Sequence, residues 1–155
     1  MTDRFRLTLA QLNPTVGAIK ANIALAYDAW EQGRAAGARM VALTEMFVTG
    51  YQTQDLILKP AFAAHAERAV ADLARQIVDG PALGIGGPLT RDGQLYNAYY
   101  ILEGGKIAAT VLKHELPNDG VFDEKRLFAS APLQGPYRVG PLRIGSPICE
   151  DAWHA

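Results

Sequence analysis

The chain has 155 residues, 49% of them hydrophobic and 20% charged, with a formal net charge of −1. That apolar content excludes a disordered chain, the length suits one domain of roughly 100–150 residues, and the charge balance gives no electrostatic reason to expect nucleic acid or an anionic membrane as partner. A single cysteine excludes an internal disulfide, and no apolar segment approaches the roughly 20 residues that span a bilayer. The opening residues Met1 to Arg6 lack the apolar h-region of a secretory signal, so a cytoplasmic location is expected.

Arg4 to Leu12 alternates, with Phe5, Leu7 and Leu9 on one side, and reads as a first strand that Asn13-Pro14 breaks. From Ala18 to Ala36 the apolar residues Ile19, Ile23, Tyr27 and Trp30 recur at helical spacing, and Gly37 supplies a stop. Arg39 to Thr44 is short and apolar, as a strand covered on both faces would be, and strand–helix–strand implies a right-handed parallel crossover. It ends at Glu45. A second helix begins near Pro60, with Phe62, Ala66, Ala69, Val70, Leu73 and Ile77 as its apolar stripe.

Pro81 to Pro88 reads as another buried strand, in which Gly84, Gly86 and Gly87 permit close packing; their spacing does not match a dinucleotide loop. Leu95 to Leu102 and Lys106 to Leu112 flank Glu103-Gly104-Gly105 and form a predicted hairpin, preceded by a turn at Arg91-Asp92-Gly93. Lys113 to Phe128 is irregular, and a long irregular segment in a compact domain is often functional. Tyr137 to Val139 and Leu142 to Ile148 complete the strands. The chain holds no internal repeat, low-complexity tract or interdomain linker.

Glu45, Lys113 and Cys149 each follow a predicted strand, which gathers them at one edge of a sheet despite their separation in sequence. Their types suit acyl transfer. A thiol with a reference pKa of about 8.5 needs a base or a nearby cation to act as nucleophile at neutral pH. Glu45 can take the proton, provided partial burial raises its proton affinity; Lys113 can favour the thiolate and then an oxyanion, alongside the backbone N–H after Cys149. Each residue also has an ordinary reading: a buried structural cysteine, a rim ion pair and a solvated lysine. His154 lies too near Cys149 in sequence to be placed opposite it without a sharp turn, and His114 is expected to point away from Lys113 if that residue is extended. The histidines and the cysteine match no metal-ligand spacing, so no metal is expected.

Leu43-Thr44-Glu45-Met46-Phe47-Val48-Thr49-Gly50-Tyr51, Lys113 with Leu116-Pro117-Asn118, and Pro147-Ile148-Cys149-Glu150-Asp151-Ala152-Trp153 resemble, in order, the three signature blocks of the nitrilase, or carbon–nitrogen hydrolase, superfamily. Within it, Gly120-Val121-Phe122-Asp123-Glu124-Lys125-Arg126 and the block at Cys149 most resemble the glutaminase domain of bacterial glutamine-dependent NAD synthetases. The resemblance spans nearly the whole chain and implies an α/β fold, the nitrilase-like α-β-β-α sandwich. It implies hydrolysis of L-glutamine through a thioester on Cys149, with Glu45 as general base and later acid and Lys113 as the oxyanion cation. Ammonia would pass to a synthetase domain that amidates deamido-NAD with ATP and Mg; the glutaminase part itself would need no cofactor.

By the same resemblance Tyr51, Asp119, Phe122 and Glu150 would line the glutamine pocket. Asp119 departs from the tyrosine usual there, removing an aromatic wall and adding a charge. The sandwich normally continues for about another hundred residues, an extent compatible with large single domains. Residues 1–155 are therefore expected to be the N-terminal part of the domain, a truncated product with weak or no glutaminase activity, from which the synthetase domain is absent. A homo-oligomer is expected. Two other readings stand beside this one: a free-standing amidase or N-carbamoyl hydrolase, and an inactive interaction module that pairs through exposed sheet edges.

Overall fold

The computed structural model describes residues 4–153. Strand β1 (Leu7–Leu9), helix α1 (Ile19–Ala35) and strand β2 (Met40–Ala42) form the expected crossover, in which β1 and β2 lie parallel. Helix α2 (Pro60–Gln76) then leads into β3 (Ala82–Arg91), which is parallel to β2. From there the chain doubles back twice, through β4 (Gln94–Glu103) and β5 (Lys106–Leu112), giving one five-stranded sheet in the order β1-β2-β3-β4-β5. Asp92-Gly93 and Gly104-Gly105, all at positive φ, make the two hairpin turns.

Strand alternation sorts the core into two layers. Val41, Leu43, Leu83, Ile85, Tyr100 and Leu102 face α1 and α2, where they meet Trp30, Val70 and Leu73. Met40, Ala82, Tyr99 and Ile101 point the other way, against Tyr137, Val139 and Ile148. Those partners come from an antiparallel ribbon, β6 (Tyr137–Val139) with β7 (Leu142–Ile144), and from the segment after it. Helices, sheet and ribbon thus stack in the order of a nitrilase-like α/β sandwich, with the ribbon as the second sheet.

The stripe of α1 is centred slightly off its predicted apolar residues. Ile19, Asn22, Ala26, Ala29, Trp30 and Gly33 are buried, whereas Ile23 and Tyr27 are half-exposed. Asn22 is tolerated there because all its polar atoms are used: it accepts from Thr15 N at 2.9 Å and donates to Thr15 O and Val48 O at 2.8 and 3.1 Å. It thereby clamps the turn after β1 to the loop after β2.

Three strands are shorter than the sequence suggests, among them β2, which covers Met40–Ala42 rather than Arg39 to Thr44. β1 pairs only over Leu7–Leu9, and Leu7 and Leu9 are exposed on the sheet's open side. β7 stops at Ile144, and residues 145–148 continue without ladder pairing, because Pro147 has no N–H to offer and Gly145 is poorly suited to a strand.

Candidate active site

Glu45 stands three residues beyond β2, where the chain bends sharply: Met46 has φ +48°. The bend crosses directly over β3, and Gly86 makes that crossing possible. A Cβ on Gly86 would lie 2.3 Å from Met46 N and 2.7 Å from Glu45 Cα. Backbone bonds from Gly86 N to Thr44 O and from Val48 N to Gly86 O hold the bend in place. The Glu45 side chain keeps 19% of its surface exposed, and its Oε1 accepts two bonds, from Lys113 Nζ and from Asn97 Nδ2, each 2.7 Å long.

Lys113 follows β5 immediately, and its backbone N–H makes a last ladder-like bond to Asn97 O. Its ammonium is completely buried. A buried cation survives only when paired, and here two carboxylates take it: Glu45 at 2.7 Å and Glu124 Oε2 at 2.9 Å. Burial works against the charged amine, but Glu45 and Glu124 outweigh it and hold Lys113 above its ordinary range. Two carboxylates sharing one cation leave an excess of negative charge. Burial pushes Glu124 up, and the charge of Glu45 adds to that, despite Lys113. Its Oε1 accepts from the Tyr51 hydroxyl at 3.0 Å.

Cys149 opens a short 3-10 turn (Cys149–Ala152) and takes the left-handed φ of +50°. A non-glycine residue in that region is unusual, and such bends are used to present a nucleophile at the top of a sheet. The thiol is exposed and lines one cleft with Glu45, walled by Leu43, Tyr99, Tyr137 and Pro147. Partial burial pushes the thiol up, Glu45 adds to that, and Lys113 opposes it. The Glu150 backbone N–H reaches the sulfur and also favours the thiolate. Two residues on, Asp151 Oδ2 accepts from Ile148 N at 3.0 Å, while Oδ1 accepts from His114 N at 3.0 Å and Glu115 N at 2.7 Å.

The sequence-derived trio therefore converges: Glu45 on Lys113 directly, and Cys149 across the cleft that Glu45 lines. The four pocket candidates are placed differently, and none of them lines that cleft. Tyr51 and Phe122 meet at a ring separation of 6.5 Å, and Tyr51 lines a second cavity together with Glu124. Asp119 is exposed, and its carbonyl closes a turn onto Phe122 N. Glu150 sits half-buried beside the sulfur. His154 lies outside the described residues.

Sequence reasoning assigned no role to Glu124, Asn97 or Asp151. Glu124 sits in a run of charges that looks solvated, yet Leu127 and Phe128 fall on its face at i+3 and i+4, and all three are buried. A charge on the apolar face of a helical turn was the available signal. Asn97 interrupts an otherwise apolar alternation with Tyr99 and Ile101, and its Oδ1 is buried without a partner among the described residues. For Asp151 no periodicity gives the role away.

Fold and site together define an α/β sandwich whose strand ends bring a carboxylate, a buried lysine and an exposed thiol close together. Residues 6–155 match the carbon-nitrogen hydrolase family, and the chain belongs to it. Its relatives include the glutamine-dependent NAD(+) synthetase of Rhodobacter capsulatus, 62% identical over 99% of this chain and 28% of that protein. The enzyme of the same description from Thermotoga maritima is 32% identical over 97% of this chain and 26% of that protein. Among solved structures, glutamine-dependent NAD+ synthetase from Acinetobacter baumannii in complex with adenosine diphosphate superposes with a TM-score of 0.90 at 33% identity, covering 96% of this chain and 28% of that one. An amidase from Nesterenkonia sp. shares the fold at 22% identity, with a TM-score of 0.71 over 85% of this chain and 50% of that one. The chain spans little more than a quarter of the length of the synthetases it matches.

Proposed function

We propose that this chain carries the nucleophile, base and oxyanion cation of a glutaminase that supplies ammonia for NAD synthesis. The observation that supports it most is that Glu45 and the exposed Cys149 thiol, from distant segments, line one cleft, with Lys113 ion-paired to Glu45 behind it. Residues 1–155 would form the N-terminal part of the glutaminase domain. The synthetase part would use ATP and Mg to amidate deamido-NAD; neither takes part at this cleft.

The chemistry begins when Cys149 Sγ attacks the side-chain amide carbon of glutamine and its proton passes to Glu45. Both bonds to Glu45 fall on Oε1, which leaves Oε2 to receive that proton. The carbonyl oxygen, now negative, is stabilised by the Glu150 N–H and by the charge of Lys113, which lies buried behind Glu45 rather than in the cleft wall. Collapse breaks the C–N bond, and ammonia leaves with the proton that Glu45 returns. Water, activated by Glu45, then attacks the thioester and releases glutamate, restoring the thiol. Lys113 does not serve as the base, because its two carboxylates hold it charged. Tyr51, Asp119, Phe122 and Glu150 are the proposed glutamine-binding residues; Tyr51 and Phe122 meet at a ring separation of 6.5 Å, outside the cleft that Glu45 and Cys149 line.

Mass spectrometry of acid-quenched protein incubated with glutamine tests this reading. A γ-glutamyl adduct is expected on Cys149, absent in Cys149→Ala and formed about 100-fold more slowly in Glu45→Gln, the usual scale of general-base catalysis. Adduct formation from simple amides or N-carbamoyl amino acids, but not from glutamine, would replace the glutaminase with a different amidase. If none of these forms an adduct, the acyl-transfer reading fails for the chain tested.

A further inference from the structure

We propose that Asp151 is a positioning residue: its carboxylate locks the turn that carries the Cys149 sulfur to the strand end that carries Lys113. The proposal rests on the acyl-transfer reading above and adds a residue to which that reading gives no role.

One oxygen does what an acidic residue in the first turn of a helix commonly does, reaching back to the N–H just before the turn, here that of Ile148 at 3.0 Å. The other oxygen has no such local purpose. It accepts the consecutive N–H groups of His114 and Glu115, at 3.0 and 2.7 Å, from a segment more than thirty residues earlier. Two neighbouring amides converge on one oxygen only where the backbone curls around it, as it does around a bound anion. The curl starts at the residue immediately after Lys113.

The consequence is a closed chain of fixed positions. Lys113 is held on one side by its own N–H on Asn97 O and on the other by the Asp151 tie. Glu45 is held by Lys113 and by Asn97 Nδ2. Cys149 stands between Ile148, whose N–H Asp151 takes, and Asp151 itself. Without Asp151, the sulfur and the amine would be joined mainly through apolar packing of Ile148, which sets depth but not direction. Asparagine cannot replace it. Its single carbonyl oxygen could keep His114 and Glu115, but its NH2 would then face the Ile148 N–H, donor against donor.

The test is a double-mutant cycle read by the pH profile of Cys149 alkylation with iodoacetamide, in the full chain. The charged groups acting on the thiol are Glu45, Lys113 and Glu124. Glu45→Gln removes a carboxylate that opposes the thiolate, so the midpoint should move to lower pH by about one unit. In Asp151→Asn, with the thermal melt within a few degrees of wild type, the same substitution should move it by less than about a third of a unit, because the sulfur is no longer held against that carboxylate. A full shift surviving in Asp151→Asn overturns the positioning role alone; no shift in the wild-type background sinks the acid–base reading and the positioning role with it. Should Asp151→Asn fail to fold, residue-resolved hydrogen exchange of the wild type decides. Slow exchange of the His114 and Glu115 amides, which belong to no ladder, supports the tie, and fast exchange at both overturns it.

Discussion

Lys113 shows why the site holds together residue by residue. Its ammonium is out of reach of water, and what compensates the lost hydration is a carboxylate on either side. Removing the amine should therefore cost far more than a surface charge would. Lys113→Met is expected to destabilise the fold by about 3–5 kcal/mol, because two carboxylates would be left facing one another without a cation. Adding Glu124→Gln should recover part of that loss, since one of the two charges disappears. Urea unfolding of both variants checks this, and a Lys113→Met protein within about 1 kcal/mol of wild type would contradict the account. The sequence made Lys113 visible by its place after a strand. It did not show the second carboxylate, because Glu124 is brought to the amine only by the packing of Leu127 and Phe128.

Elements matter to this site mainly through their ends and crossings. β2 delivers Glu45 only because the chain after it can lie flat on β3, and that needs the missing side chain at Gly86. Gly86→Ala would force backbone against backbone, for which overpacking costs of about 1–3 kcal/mol are usual, and it should displace Glu45. Gly93→Ala is the natural contrast. Gly93 has open space around it but a φ of +75°, so alanine there should cost about 1 kcal/mol in backbone strain and leave the site unchanged. Comparing the thermal shift and the Cys149 labelling rate of the two variants separates the effects: only Gly86→Ala should alter labelling. From sequence, the glycines of β3 read correctly as packing residues, but which backbone they admit was not legible, since the crossing partner lies forty residues away.

At the scale of the whole molecule, buried tyrosines tie both core layers to alkaline stability. Tyr100 lies in the helix-facing layer and donates to Pro88 O at 2.5 Å; Tyr99 lies on the ribbon side and donates to Leu43 O at 3.0 Å. Burial pushes both phenols well above their ordinary range, and Tyr137 shifts the same way. A group raised in the folded state keeps its proton longer there than in the unfolded chain. Its contribution is complete below the unfolded value of about 10 and is lost as pH rises through the folded one. Melting temperature should therefore fall steadily above about pH 10, and Tyr100→Phe should flatten that fall while lowering stability near neutrality by about 1 kcal/mol. An unchanged slope in Tyr100→Phe would show that burial of this phenol is not responsible. Among the described residues no helix is long and apolar enough to cross a membrane.

The sequence alone determined the order of strands and helices, the hairpin of β4 and β5 with the turn before it, and the three residues whose chemistry suits acyl transfer, because periodicity, turn residues and side-chain type are local properties. The ends of the outer strands were set instead by pairing. β1 stops where its single neighbour stops, and β7 stops ahead of Gly145 and Pro147, however far the apolar pattern runs on. Only the tertiary structure decided that Glu45 and Lys113 touch, that Glu124 completes their charge balance and that Asp151 joins the lysine's strand end to the cysteine's turn. Those are distances between segments tens of residues apart, and they are fixed by how the two core layers pack.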